Sequence, residues 1–346
     1  MGLFIRLREH YGNSFQVIAG IRDFGRNLKS TEDAWKHFKK VQNVFLFNQR
    51  FLWQKNILRR LVSADVVILN ANLRILSNVV VLFLRKLLSR KTILWGHAKG
   101  KNKIPNFFRA LFFRLCDGFI SYTETEMKTL SHRYPWLKIW VAPNACLSAS
   151  DCTPEEAELS EVNVVLYVGR LIKAKKPDLL LEAFIYGRNE SIFPPTIKLV
   201  FVGDGQMRSE LEDKVHESGL QDVVKFKGHI SDVRRLREFY RVAVCSVSPG
   251  YVGLSSIQSF SFGVPILVAK DEHHSPEIEA CHEGFNSRFF NSNDPKALAK
   301  CLAAFFEERS QWLASRPAIS SWLSKHYSFE AMQKTFVQAI DTAMTD

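Results

Sequence analysis

Leu166-Tyr167-Val168-Gly169-Arg170-Leu171 reads as a strand that runs into a glycine turn with an arginine just past its end. Lys173, Lys175 and Lys176 follow within six residues, and Pro177 then opens a helix. One guanidinium, up to three ammonium groups and a helix N-terminus around one strand end suit phosphate binding, which needs fixed positive charge and outward-pointing backbone N–H groups. The competing reading of the same residues is a solvated basic turn. Further on, Ser248-Pro249-Gly250-Tyr251-Val252-Gly253-Leu254 leads into a predicted helix over residues 255–262. Small residues ahead of a helix start leave bare amides, which makes Gly253 and Leu254 a second candidate anion site. Gln258, one turn into that helix, is positioned to hydrogen-bond a ribose hydroxyl, unless it is an ordinary exposed glutamine. The turn Gly203-Asp204-Gly205 also follows a strand, but such turns are common and this one reads as structural.

A third cluster, His273-His274-Ser275-Pro276-Glu277-Ile278-Glu279, holds two histidines and two carboxylates just after a strand. Its carboxylates Glu277 and Glu279, with His273 and His274, are candidates for a ligand role, Glu279 reading as a solvated helix residue. His97, in Trp95-Gly96-His97-Ala98, ends a strand inside a glycine-flanked loop, where a ligand role competes with a structural one. Tyr122, Glu124 and Asn144 are weaker candidates of the same kind. No Asp-x-Asp pair occurs, and the cations expected at the site are the side chains of the basic turn.

Side chains of this kind have to be carried by an α/β scaffold. Short β-type runs alternate with helix-length amphipathic segments, the pattern of parallel sheets covered by helices. The first series of strands is predicted at 15–19, 43–47, 66–69, 92–95, 118–122 and 139–142. The second is predicted at 163–168, 197–202, 223–227, 243–246 and 265–268, with helices at 177–184, 206–217 and 233–239 between them. Helical patterns at 295–310 and 329–344 close the chain, and 147–160 reads as a linker. The domains expected are therefore 1–150 and 151–325, with a C-terminal helix in 326–346 that crosses back to the first. Leu3, Phe4 and Leu7 share a helix face, so the first domain opens on a helix, and either it lacks the central strand that usually starts such a domain or its true start lies upstream.

The 346 residues carry a formal charge of +12, unevenly spread. Residues 1–150 hold 25 Lys+Arg against 8 Asp+Glu, or +17, whereas residues 151–346 hold 22 against 27, or −5. Such asymmetry suggests a polyanionic partner for the first half. The apolar start is interrupted at once by Arg6 and Arg8, so no signal peptide is expected, and no run reaches the ~20 apolar residues of a membrane span. Six cysteines without C-x-x-C spacing read as reduced and mostly buried.

The ordered segments G-R-L-x-x-x-K-K-P-D-L-L-L-E-A, F-V-G-D-G, F-K-G-H and S-P-G-Y-V-G-L-S-S-I-Q-S-F-S-F-G-V-P-I together resemble the family 4 retaining glycosyltransferases of the GT-B fold. The resemblance covers about residues 161–305. It implies two Rossmann-like domains facing a cleft, and a sugar transferred with retention from a nucleoside-diphosphate donor. By this resemblance Arg170 and Lys175 bind the donor diphosphate, Gly253 and Leu254 support the same phosphates, and His97 contacts the donor sugar or the acceptor hydroxyl. Glu277 matches a family position near the donor. The family also carries two glutamates eight positions apart, and here Gly250 and Gln258 stand in those places. Gln258 keeps its capacity to bind ribose, while Gly250 removes a carboxylate that lies by the transferred sugar in the family. On this resemblance no metal is expected, since metal-dependent glycosyltransferases use an Asp-x-Asp pair and none occurs here.

The basic half is then the acceptor side. Lys36, Lys39, Lys40, Arg50, Lys55, Arg59 and Arg60 supply charge, as do Lys99, Lys101 and Lys103 ahead of an amphipathic segment at 104–115. Phe107, Phe108, Leu111, Phe112 and Leu115 form a face about 140° wide, which leaves Phe113 beside Arg109 on a flank suited to lipid headgroups. Nucleic acid would satisfy the charge, but no recognised module for it is visible. The expectation is a cytoplasmic enzyme, peripheral on the inner face of the membrane, that serves a lipid-linked acceptor in surface polysaccharide or O-antigen assembly. Two other readings stay open: a GT-B nucleotide-sugar epimerase, and a degenerate member that only binds a partner transferase.

Overall fold

The computed structural model describes residues 2–24, 26–27, 38–98 and 106–345, with backbone alone at 23, 26–27 and 106–109. Two compact units emerge. One comprises Met1–Pro143 together with Phe329–Asp346, and the other Asn144–Ser328.

The second unit is built on a six-stranded parallel sheet. Its founding strand, Val164–Val168, is apolar at every position because both of its faces are covered. Val165 and Tyr167 enter one core with Leu180 and Phe184, while Val164 and Leu166 enter the other with Ile257 and Phe260. The strands lie in the order Val224–Phe226, Lys198–Val202, Val164–Val168, Ala243–Ser248, Ile266–Ala269, Ser287–Phe290. Numbered along the chain within this unit, that order is 3-2-1-4-5-6, so the direction of winding reverses between Val164–Val168 and Ala243–Ser248. In open sheets of this kind the ligand crevice lies beyond the carboxyl ends of the strands at that reversal.

Two elements of this unit go beyond the sequence expectation. Ser287–Phe290 adds a sixth strand at the sheet edge. The helix Arg309–Tyr327 continues through Pro317, where the sequence pattern stops at 310. An interior proline costs about 3 kcal/mol. Here the buried Arg316 anchors the helix by donating to the carbonyls of Arg241, at 2.7 Å, and Ala243.

The first unit has a four-stranded parallel sheet in the order Lys138–Val141, Gly118–Ser121, Lys91–Trp95, Val66–Asn70. The helices Leu76–Leu87, Asn106–Leu115 and Glu124–Arg133 connect successive strands. Right-handed crossovers in an unreversed sheet put all three on one face. The helix Phe329–Thr345 packs against all four strands and carries the helix Gly2–Tyr11. Arg85 ties the connecting layer together. It is fully buried and donates to Thr92 Oγ1 and to the carbonyls of Leu61, Ala64, Asp65 and Lys91.

Three expectations for this unit need correction. The segments at 15–19 and 43–47 do not join the four-stranded sheet. Val17–Gly20 pairs in parallel with Phe38–Val41, and Asn43–Leu46 forms an antiparallel hairpin with Phe51–Gln54. Phe47, Asn48 and Gln49 close that hairpin at φ 52°, 51° and 61°, which turns the chain straight back. The flank assigned to Phe113 is also reversed. Phe113 is 2% exposed and packs on Phe119 and Tyr134, whereas Leu111 is 46% exposed. Lys36, Lys99, Lys101 and Lys103, and the side chains of Phe107, Phe108 and Arg109, lie outside the described residues.

Candidate functional site

At the sheet reversal of the second unit, the loop after Val164–Val168 meets the loop after Ala243–Ser248. The first is braced from behind: Gly169 N–H donates to Val202 O, and Leu171 N–H donates to Asp204 O. Gly203 sits at φ 146°, and a Cβ there would lie 1.8 Å from Gly169 O, so only glycine lets the two turns touch. The Gly203-Asp204-Gly205 turn thus acts structurally, holding the Arg170 loop in place. Arg170 is exposed, its carbonyl accepts from Tyr167 Oη at 2.9 Å, and its guanidinium donates to Tyr251 Oη at 3.2 Å.

Lys175 is half-buried. Its Nζ donates to Tyr251 O at 2.7 Å and stands 3.5 Å from the centre of the Tyr251 ring. Burial, then the neighbouring Arg170, bring its pKa down from 10.5 to about 8, against a smaller opposing pull from Glu277. The ammonium also reaches the Gly253 turn, where a Cβ would lie 3.4 Å from Nζ. Gly253 precedes the helix Leu254–Ser261, whose first turn no side chain caps. Two cations and a bare helix start therefore share one strand-end crevice, a ready-made site for a diphosphate.

Gly250 explains its own identity. A Cβ there would lie 2.6 Å from Ala174 O and 2.8 Å from Lys175 C, so the space is filled by the backbone that carries Lys175. A glutamate cannot occupy this position without moving the lysine loop. Gln258 Oε1 accepts from the buried Tyr240 hydroxyl at 3.4 Å. Glu277, on the 3-10 turn Pro276–Ala280, is 5% exposed, and its Oε1 accepts from Asn144 Nδ2 at 2.8 Å. Burial first, then Glu277, pushes the nearby Cys146 thiol up to about 12, which keeps it protonated and unreactive at neutral pH.

Arg170, Lys175, Gly253, Leu254 and Glu277 thus gather around the strand ends, with Gln258 one turn into the adjoining helix. Lys176 does not take part: it is paired with Glu272, and its Nζ donates to Asn293 Oδ1 at 2.7 Å. Lys173 is exposed on the rim. Of the two loop histidines, His273 is exposed, while His274 works on the glycine turn. Its Nδ1 accepts from Val252 N–H at 3.0 Å, and Ser275 N–H donates to Val252 O. The proton is therefore on Nε2, which is buried without a partner among the described residues. Sequence reasoning missed Tyr251, which touches both cations, although an aromatic residue in so glycine-rich a turn was the available signal.

His97 belongs to the first unit. It is exposed, 4.8 Å from the Tyr122 ring, and follows Gly96 at φ 142°. The carboxylate that shapes its loop is Glu126, which accepts from Ala98 N–H at 2.8 Å and Ser121 Oγ at 2.8 Å. Glu124, the sequence candidate, is exposed on the first turn of its helix.

The 3-2-1-4-5-6 sheet with this crevice, and the α/β architecture of both units, define the GT-B class of fold. Residues 153–317 match the family model described as glycosyl transferases group 1. One relative is the Campylobacter jejuni GalNAc-alpha-(1->4)-GalNAc-alpha-(1->3)-diNAcBac-PP-undecaprenol alpha-1,4-N-acetyl-D-galactosaminyltransferase. It is 31% identical over 203 residues, which cover 58% of this chain and 54% of the relative. Anabaena Alr3699/HepE, solved in complex with UDP, superposes with a TM-score of 0.64 at 15% identity, over 83% of this chain and 81% of that one. Sucrose-phosphate synthase from Thermosynechococcus elongatus superposes with a TM-score of 0.62 at 16% identity, over 99% and 93%. The chain spans about half the length of the curated relatives it matches, 54%, 37% and 49% for three of them.

Proposed function

We propose that this chain is a retaining glycosyltransferase that moves a sugar from a nucleoside-diphosphate donor to a lipid-linked saccharide, in surface polysaccharide or O-antigen assembly. The observation that carries the reading is the convergence of Arg170, Lys175 and the uncapped helix start at Gly253 on one strand-end crevice. As the glycosidic bond breaks, negative charge builds on the departing diphosphate. Arg170 and Lys175 offset it from fixed positions, in a role that needs no metal. Gln258 holds ribose, Glu277 lines the sugar, and His97 serves the transferred sugar or the acceptor. With a glycine at position 250, attack on the same face as departure needs no carboxylate nucleophile. The Campylobacter relative, whose name includes PP-undecaprenol, supports the lipid-linked acceptor, and the UDP-bound neighbour supports a uridine donor.

An anionic membrane surface fits the connecting helices of the first unit. Phe83, Leu87, Leu88, Leu111 and Trp136 are between 46% and 67% exposed there, interspersed with the exposed Lys86, Arg90, Arg114 and Arg133. No described helix is long and apolar enough to cross a membrane. The test of the transferase reading is donor turnover with and without a lipid-linked saccharide. Acceptor-dependent release of nucleoside diphosphate that Arg170→Ala and Lys175→Ala reduce at least a hundredfold is the expected result. Turnover without acceptor would point to an epimerase. UDP binding that both variants leave unchanged would overturn the diphosphate assignment.

A further inference from the structure

The geometry points to a second ligand groove, in the first unit, that takes a saccharide joined to a phosphate. This inference rests on the transferase reading, for which it locates the acceptor. The strands Val17–Gly20 and Phe38–Val41 form the shared wall of two adjoining hollows, with Lys39 lining both. The first hollow, about 160 Å³, is ringed by Lys39, Lys40, Lys55 and Arg60 above a floor that includes the buried Ile57. Local backbone geometry builds it. Lys55 N–H donates to Gln42 O at 3.0 Å, closing the base of the hairpin, and Asn56 at φ 59° then swings the chain so that Ile57 turns inward. Arg60 follows on the first turn of the helix Leu58–Ser63. None of the described residues lining this hollow is acidic.

The second hollow, about 470 Å³, changes character. It is lined by Arg8 and Lys39, by the carboxamides of Asn13 and Gln16, and by the ring of Phe15, again without an acid among the described lining residues. Cations lining a concave site, with no acid among its described lining residues, suit phosphate oxygens better than neutral ligands. Carboxamides both donate and accept, which matches sugar hydroxyls, and an aromatic face accommodates the C–H face of a pyranose. A ligand with phosphate at one end and sugar at the other satisfies both hollows at once, whereas a bilayer headgroup engages only the first.

The test uses the full chain without donor, titrated calorimetrically with three soluble probes: farnesyl diphosphate, its N-acetylglucosamine-bearing form, and free N-acetylglucosamine. The sugar-bearing diphosphate is expected to bind most tightly and free sugar at least a hundredfold more weakly. Lys55→Ala/Arg60→Ala should weaken both diphosphates at least tenfold, and the charge reversal Lys39→Glu should do the same. Asn13→Ala/Gln16→Ala should weaken only the sugar-bearing probe. Vesicles with and without phosphatidylglycerol form the remaining arm. If Lys55→Ala/Arg60→Ala releases the chain from anionic vesicles yet leaves both soluble diphosphates bound as before, the first hollow serves a bilayer headgroup and the proposal fails. It fails equally if the groove variants bind every probe like the unaltered chain. UDP titrated into each variant, with thermal melts, reports whether the donor unit and the fold are intact. Absent UDP binding in the unaltered chain would sink the donor reading, while probe binding would still decide the groove.

Discussion

Lys175 makes a prediction that can be followed proton by proton. Its pKa of about 8 in the donor-free protein compares with 10.5 for an unburied lysine. At ~1.4 kcal/mol per unit this is roughly 3 kcal/mol of lost preference for the charged form, reduced somewhat by residual solvent screening. The sign is unusual. A lysine whose pKa is lowered on folding costs stability wherever it is charged, so the full cost applies below pH 8, shrinks between 8 and 10.5, and vanishes above. A bound diphosphate supplies the missing counter-charge and draws the pKa back up. Binding above pH 8 must therefore take up a proton, and affinity should fall by up to tenfold per pH unit in that window. The assay is isothermal titration of UDP at pH 7 and pH 9 in buffers of different ionisation enthalpy, with Lys175→Arg as the subtraction control. About 0.9 of a proton should be taken up at pH 9 relative to the control, and about 0.1 at pH 7. Equal uptake by the unaltered chain and Lys175→Arg at pH 9 would refute the reasoning.

Other outcomes follow from particular contacts. Gly250→Ala forces a Cβ into the backbone at Ala174 and Lys175, so it should destabilise the second unit by about 1–3 kcal/mol and weaken UDP binding, read by melting and titration. Arg85→Met strips donors from a set of buried carbonyls, and a loss of about 3 kcal/mol is expected in denaturant unfolding, with Arg85→Lys recovering only part. Phe83→Ser/Leu87→Ser should reduce sedimentation with anionic vesicles several-fold while leaving UDP binding intact, and added salt should weaken what remains. Tyr251→Ala removes the ring beneath Lys175. Because its hydroxyl also meets Arg170, Tyr251→Phe should lose less UDP affinity than Tyr251→Ala in the same titration.

The second unit was the more legible in sequence, because strands such as Val164–Val168 and Lys198–Val202 are largely apolar runs that end in a glycine turn. Val164–Val168 ends where the glycine turn requires, whereas Ala243–Ser248 runs two residues past the expected end at 246. What escaped notice was set by tertiary contacts. Ser287–Phe290 is short and mixed in character, and acquires its role only by pairing with Ile266–Ala269. Pro317 reads as a helix breaker until Arg316 is seen gripping carbonyls of a distant segment. In the first unit, 100° arithmetic put Leu111 inside and Phe113 outside, whereas the helix rolls to bury Phe112 and Phe113 together. At the site, the charges of Arg170 and Lys175 were readable from spacing. That Lys176 is consumed by Glu272, and that Asn144 holds Glu277, depended on partners 96 and 133 residues away.

The helix Phe329–Thr345 gives the first unit an unusual history. Phe336 packs edge-on against Trp95 at 5.2 Å, so the inner cover of the first sheet is made only after the ribosome has completed the whole second unit. During that interval the earlier-made unit carries an apolar sheet face with no lid, and closing it requires joining segments nearly two hundred residues apart in the chain. A nonsense codon just before Phe329 would spare the second unit and leave the first, otherwise already synthesised by then, unable to finish folding.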